Sequence, residues 1–487
     1  MNHKRVFSYI VTLLFATAIL LSSCVGLPAA DNTPVPTTEG QSSQSTQVSQ
    51  PEQTLQPVQA ETETGEAATT IQTDGFEQLG PVTLNVVQGE TGESRINSTT
   101  CIVDAYQAKY PNVTVNVDFK DLPSHLQTVK LLMTGDNPPD VAQGNQGWDI
   151  IPPLIKANAI VNFDKYNSAY GWDQKFASNV IRPNRYSTDG TKFGEGSLWG
   201  LSAFSELVGL FYNKELLQSL GVTDINEIST LDAFESVLAE AQEQGIQPIV
   251  LGNADKLTAN HFYAEMISGY WDPQLYSDWV YGVAGTDINN DKVIAGTVRF
   301  QDWYTKGYIN EDINALQRSD GYARFGNGDG VFIVSGNWAA ADVYNGLKEN
   351  VGFMLFPKGE TGKYAAIGSI NLPWVVSSKS EQVDLAVNFV DFATTSAEAV
   401  DCTMKNGALP AVGIPEGKTF EIPLANDVAA AYNQLISTGG VLIPWMDWPT
   451  PRMLDVLGSG VQEVMVGQVT PEQFLEAIQS EWDSFYK

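Results

Sequence analysis

The sequence predicts an α/β fold with enough chain for two ordinary domains, and three observations predict it. Val82, Leu84 and Val86 alternate with Thr83 and Asn85, while Val113, Val115, Val117 and Phe119 alternate with Asn112, Thr114, Asn116 and Asp118. This two-residue period marks half-buried strands, and the helix read between them from about Ser98 to Lys109 completes a β-α-β unit of a parallel or mixed sheet. Further on, Val208, Leu210 and Tyr212 alternate with Gly209, Phe211 and Asn213 inside the stretch LWGLSAFSELVGLFYNKELL (198–217), a buried strand running into a helix. Finally, 487 residues at 43% hydrophobic composition supply core for more than one domain.

Taken in order, the chain opens with His3, Lys4 and Arg5 ahead of an uncharged apolar run, Val6–Leu21, that ends Leu21-Ser22-Ser23-Cys24. A basic segment, an apolar segment and small residues before a cut read as a signal peptide over residues 1–23. The Leu-Ser-Ser-Cys ending resembles a bacterial lipobox, which implies a lipid on Cys24 and anchoring to the cell membrane; a plain transmembrane anchor is the alternative. Either reading puts the body of the protein outside the cytoplasm. Between Val25 and Gly75 there is no Lys, Arg or aromatic residue, and Ser, Thr, Gln, Pro and Glu dominate. Such a segment cannot bury enough apolar area to offset its chain entropy, so residues 24–75 read as a disordered tether. The formal net charge is −30 with no basic stripe, which argues against nucleic acid and against a highly anionic ligand.

Order is expected from Phe76. The first strand stops at Gln88-Gly89-Glu90-Thr91-Gly92, whose glycines lack dinucleotide-binding spacing. A helix around His125–Met133 leads through Pro138-Pro139 to a short strand and the loop Gln143-Gly144-Asn145-Gln146-Gly147-Trp148. Amides and glycines at the carboxyl end of a strand suit a hydroxyl-rich ligand; a solvated turn with a packed Trp148 is the other reading. Glu206, beside so much apolar sequence, needs a hydrogen-bond partner. Asn213 is placed to cap a helix from Lys214, and Gly221 to end it. Thr230 starts a helix carrying Phe234, Leu238 and Ala241, Gly245 ends it, and Ile249–Leu251 reads as a strand. Val331–Val334 is a strand running to Gly336, and Val383–Phe392 an amphipathic helix. Thr470-Pro471-Glu472-Gln473 is a capping box with Pro at N1, ahead of a last helix bearing Phe474, Ile478, Trp482 and Phe485.

Two of these stretches resemble the extracellular solute-binding proteins of ABC importers, in the maltose-binding-like carbohydrate group. Trp199-Gly200-Leu201 followed by Tyr212-Asn213-Lys214-Glu215-Leu216-Leu217 is similar to that family's first crossing between lobes, with Ser202 where a proline is usual. Phe325 to Trp338 resembles its later motif ending Gly-x-Trp, with Gly330 and Val331 in place of a small residue and an alanine. Gly135–Val141 and Gly407–Pro410 also match, in the expected order, so the resemblance covers roughly Phe76 to Lys487. It implies a two-lobed periplasmic-binding-protein-like fold, each lobe a mixed sheet flanked by helices, with a hinge and a ligand cleft between. The first lobe is expected from 76–205 plus 371–415 and the second from 206–370 plus 416–487.

The resemblance further implies capture of a sugar or oligosaccharide, delivery to the transmembrane subunits of an ABC permease, no chemistry on the ligand, no cofactor or metal, and a monomer. Ligand contacts are expected from Glu90, Gly144, Asn145, Gln146, Ser205, Glu206, Asn260, Asn337, Trp338, Ser369, Asn371, Trp445, Asp447 and Trp448. Glu206 and Trp338 are expected to face each other across the cleft. The pairing suits a sugar: an indole packs on the C–H face of a pyranose, and a carboxylate accepts from its hydroxyls. Trp172, Trp199, Trp279, Trp303, Trp374 and Trp482 are expected in the core, and Trp271 fits either role.

The chain has three histidines and no HExxH, CxxC, P-loop or Gly-x-Ser-x-Gly motif. His125 and His261 stand alone in sequence and read as surface or packed residues. A glycoside hydrolase remains as an alternative, with Glu206 and Asp447 as its two carboxylates. Others are a binder of another small solute (polyamine, peptide or sugar phosphate) and a lipoprotein that binds another protein. With Cys24 set aside, Cys101 and Cys402 remain. Family topology places both in the first lobe, where they either bond, for about 4–5 kcal/mol on the chain-entropy model, or stay as buried free thiols.

Overall fold

The computed structural model describes residues 71–487; the expected signal peptide, Cys24 and the tether up to residue 70 lie outside the described residues. The first sheet grows from β1 (Val82–Gln88), β2 (Val113–Phe119) and β3 (Val141–Gln143). β1 pairs in parallel with β2 along its whole length, Val82 opposite Val113 and Gln88 opposite Phe119, and with β3 on its other side. Parallel neighbours need crossovers, which the helices Glu93–Lys109 and Leu122–Thr134 provide. The first of these begins five residues before the expected Ser98. Gly92 takes the N-cap position in extended geometry, and Glu93 suits the positive end of the helix dipole. The second is capped by Asp121, which accepts from Ser124 N–H.

A short antiparallel pair of two-residue strands, β4 (Arg185–Tyr186) with β5 (Ser197–Leu198), leads to β6 (Phe204–Asn213). The remaining strands are β7 (Phe332–Gly336), β8 (Val351–Met354), β9 (Ala365–Ile370), β10 (Trp374–Val376), β11 (Leu409–Pro410) and β12 (Val441–Ile443). The far half of β6 pairs antiparallel with β7 and β8, and its near end, Phe204–Leu207, with β9 and β11. β12 extends this second sheet in parallel with β9, while β10 returns to the first sheet, antiparallel to β3. The chain thus leaves the first sheet along β6, returns after β9 and leaves again after β11. Those three segments lie side by side and form the seam of a two-lobed molecule.

The buried apolar residues form two clusters, the larger of which also takes in Val87, Val129, Met133, Ala142 and Ile151 beside the first sheet. One gathers Phe76, Leu84, Tyr106, Trp172, Phe204, Trp374 and Phe389; the other gathers Phe211, Phe234, Phe262, Trp279, Trp303, Phe332 and Trp482. All six tryptophans expected in the core are buried, and Trp271 joins them against Tyr276 and Trp279. Ile71 already packs on the first core and Gln72 N–H donates to Asp384, so docking begins a few residues before Phe76. Cys101 and Cys402 are bonded, tying the helix Glu93–Lys109 to the helix Ala397–Lys405 with their Cα atoms 5.6 Å apart.

Local signals hold where a side chain meets its own backbone. Asn213 accepts from Glu215 and Leu216 N–H, Thr230 caps the helix Leu231–Glu243, and the Thr470–Gln473 box is complete. Ile249–Leu251 is not a strand: Ile249 makes single bridges to Ile309 and Phe332, and Asn310 takes the Leu251 N–H through its side chain. A second set of contacts also joins the lobes. Trp148 Nε1 donates to Tyr486 Oη at 3.0 Å, Phe193 packs on Tyr281 at 4.9 Å between ring centroids, and the Arg182 guanidinium lies 3.8 Å over the Tyr281 ring.

Candidate ligand site at the seam of the lobes

The polar end of the site starts where β1 stops. Arg95 sits in the first turn of the following helix, and side chains there point back toward the helix N-terminus. It is only 4% exposed, with Nε 3.2 Å from Glu90 Oε1 and Nη2 3.3 Å from Glu206 Oε1, and its guanidinium lies 4.4 Å over the Phe204 ring. Glu90 also accepts from Gln143 Nε2 at 2.9 Å and Asn371 Nδ2 at 2.8 Å. One buried arginine therefore holds two carboxylates that would otherwise repel, one from the first lobe and one from the crossing strand β6. Burial pushes the Glu206 carboxyl above the usual carboxylate range, with Arg95 opposing and Glu90 adding to the shift. Each carboxylate has acceptor capacity beyond these bonds, which is what ligand hydroxyls require.

The floor is made of amides that brace the backbone. His125, fully buried, bonds through Nε2 to Gln143 O at 2.7 Å, and burial lowers its pKa. Gly144 N–H donates to Pro373 O, and Gln146 Nε2 donates to the carbonyls of Ile370 and Asn371 where the chain returns after β9. Asn145 is half-buried beside them. Ser369 lies opposite Glu206 in the β6–β9 pairing, and its hydroxyl donates to Ile370 O. Asn337 Oδ1 accepts from Leu207 N–H at 3.2 Å and its Nδ2 donates to Ser205 O at 3.0 Å, so it brackets Glu206 on β6.

The aromatic end follows directly. Trp338, next to Asn337, is half-buried, meets His261 edge-on at 5.5 Å and donates from Nε1 to Tyr322 Oη at 3.2 Å. Burial lowers the His261 pKa to about 3, so the imidazole facing the indole is neutral. Trp445 and Trp448 pack together at 4.9 Å, and Trp448 lies so close to Gly147 in the loop Gln143–Trp148 that a Cβ there would come within 2.9 Å of the Trp448 Cα. Between them in sequence, Asp447 has its pKa pushed up to about 6 by burial. Asn260 Nδ2 donates to Lys256 O, in the turn just ahead of the helix Thr258–Ser268.

The structure therefore gathers Glu90, Glu206, Gln146, Asn337, Trp338, Ser369 and Asn371 along the seam, with Trp448 reaching the loop Gln143–Trp148. Gly144 serves packing, Asn260 bonds the turn before its helix, and Ser205 is engaged through its backbone. Glu206 is bonded to Arg95, while Asp447 has no salt bridge among the described residues. Sequence reasoning missed Arg95 and Tyr322, and named Gln143 only as part of its loop. One signal was available: Arg95 is the sole basic residue between Phe76 and Lys109, and it occupies the end of a helix that disfavours a cation.

Comparison with known proteins bears on the family and the fold. Residues 94–400 match the family model described as bacterial extracellular solute-binding protein. The maltodextrin-binding protein MdxE of Bacillus subtilis is 23% identical over 299 residues, 60% of this chain and 65% of that protein. An uncharacterized ABC transporter extracellular-binding protein of Pyrococcus horikoshii is 23% identical over 268 residues, 52% of this chain and 55% of that one. The chain thus spans about 55–65% of the length of these curated relatives. Among solved structures, a chitin oligosaccharide binding protein superposes with a TM-score of 0.69 at 22% identity, over 83% of this chain and 98% of that one, a likeness of fold. With its two lobes, its seam and a family match over most of its length, the chain belongs to the bacterial extracellular solute-binding proteins.

Proposed function

We propose that this protein captures a sugar or oligosaccharide outside the cytoplasm, in the cleft between its lobes, and hands it unaltered to the transmembrane subunits of an ABC permease. The observation that carries the reading is the bracket formed by Asn337. Asn337 bonds both neighbours of Glu206, whose carboxyl is held by Arg95, and Trp338 is the next residue in the chain. An indole for a C–H face and ionic acceptors for hydroxyls are the two halves of a pyranose site. The sugar-binding relatives support the class of ligand. The lobes run over 76–205 plus 371–415 and over 206–370 plus 416–487, and close on the ligand as a monomer by hinge motion at the seam.

A thermal-shift screen of mono- and oligosaccharides against polyamines and peptides tests the ligand class, because any ligand of the native state raises the melting point by mass action. A sugar response is expected; a response to polyamines alone would move the assignment to another solute. The anchor is the finer part of the reading: a lipid on Cys24 and a tether to residue 75 hold the body at the membrane. Mass spectrometry of the mature N-terminus is expected to find a lipidated Cys24, and an unmodified Cys24 or a retained residue 1–23 segment would remove the anchor.

A further inference from the structure

The Trp338 indole is fixed from three directions. Gly336 lies against its six-membered ring so closely that a Cβ there would come within 2.0 Å of Cζ3, so only glycine fits. His261 meets the ring edge-on. The third constraint is a chain of hydroxyls. Trp338 Nε1–H donates to Tyr322 Oη at 3.2 Å, and Tyr322 Oη stands 2.8 Å from Ser335 Oγ. Because the phenol oxygen accepts from the indole, its own proton is free to go to Ser335 Oγ, and successive donors in such a chain polarise one another. Ser335 is fully buried on β7, its backbone paired opposite Gly209 of β6, so the chain ends on the sheet and not in solvent. Tyr322 is itself buried on the helix Arg318–Gly326, and burial raises its pKa, which keeps the phenol protonated as a donor.

We infer that Tyr322, braced by Ser335, is the positioning residue that sets the plane of the Trp338 indole for stacking on the ligand ring. This rests on the reading of Trp338 as the stacking surface. A glycine under one part of the ring and a single edge contact leave its tilt loosely determined. The hydrogen bond at the pyrrole edge removes that freedom before any ligand arrives, and a preorganised ring loses less on binding.

The test uses Tyr322→Phe, which keeps the ring and deletes the hydroxyl, and Ser335→Ala, which deletes the terminal acceptor and guards against a folding defect in the first variant. The first readout is the Nε1–H resonance of Trp338 in the ligand-free protein, assigned by its loss in Trp338→Phe. The second is titration with maltotriose, chitotriose, xylotriose and stachyose. The resonance is expected to shift in Tyr322→Phe, and affinity for whichever sugar the wild type binds to fall by about five- to tenfold, with the melting curve little changed. An unmoved resonance, a readout that needs no ligand, overturns the positioning role. So does full affinity in both variants where Trp338→Ala has lost binding. Full affinity in Trp338→Ala would instead remove the stacking surface, and this inference with it.

Discussion

Arg95 decides what the carboxylates at the seam can be. Without it, Glu90 and Glu206 would be two buried acids side by side, and removing one partner from a buried ionic cluster commonly costs about 3–5 kcal/mol. Asp447 is shifted in the same direction as Glu206, by burial, but without an arginine opposing the shift. Its pKa of about 6 lies above the ordinary 3.8, so the native state prefers the protonated form. The stability this gives is complete below about pH 4 and is lost as pH rises through 6. Asp447→Asn is therefore expected to match the wild type at pH 4 and to exceed it at pH 7.5, by up to about 3 kcal/mol at 1.4 kcal/mol per unit. Urea unfolding at the two pH values measures this; a variant less stable at pH 7.5 would mean that the ionised form has a partner. At this scale the sequence was only partly legible. Glu206 and Trp338 were singled out because they sit in spaced motifs, whereas a lone arginine in a helix's first turn carries no periodicity. Gln146 and Asn337 were read as ligand amides, and their bonds go to backbone carbonyls and N–H groups, a partner choice that only tertiary structure makes.

At the scale of elements, the strands and helices with their own periodicity and caps were legible. β1, β2 and β6 follow their alternation, and Asn213, Thr230 and Thr470 bond the N–H groups that their positions promised. The misses have local physical causes. Ile249–Leu251 has the composition of a strand, but Asn310 intercepts its ladder with a side-chain amide. The helix at Glu93 starts early because Gly92, unremarkable in sequence, can take the extended cap geometry. The disulfide is an element-scale brace: it locks the helix that carries Arg95 to a helix 301 residues away in sequence, so the polar end of the site rests on a cross-linked support.

Over the whole molecule, the two-lobed fold follows from how β6, β9 and β11 share one seam. No periodicity reveals that three distant segments, near residues 205, 370 and 410, will lie side by side; the order of the matched motifs did. The seam is also where the site is built, so small movements of the three segments change the distance between the polar cluster of the first lobe and the wall that carries Trp338. Aromatic contacts away from the seam, Trp148 with Tyr486 and Phe193 with Tyr281, also join the chain before β6 to the chain after it. The most direct measurement of this account is a calorimetric titration of wild type, Glu206→Gln and Trp338→Ala with the sugar that most raises the melting point, beside ligand-free melting curves. Each substitution is expected to weaken binding at least about tenfold, roughly 1.4 kcal/mol, while the ligand-free protein melts close to the wild type. Unchanged affinity in both variants would contradict the account.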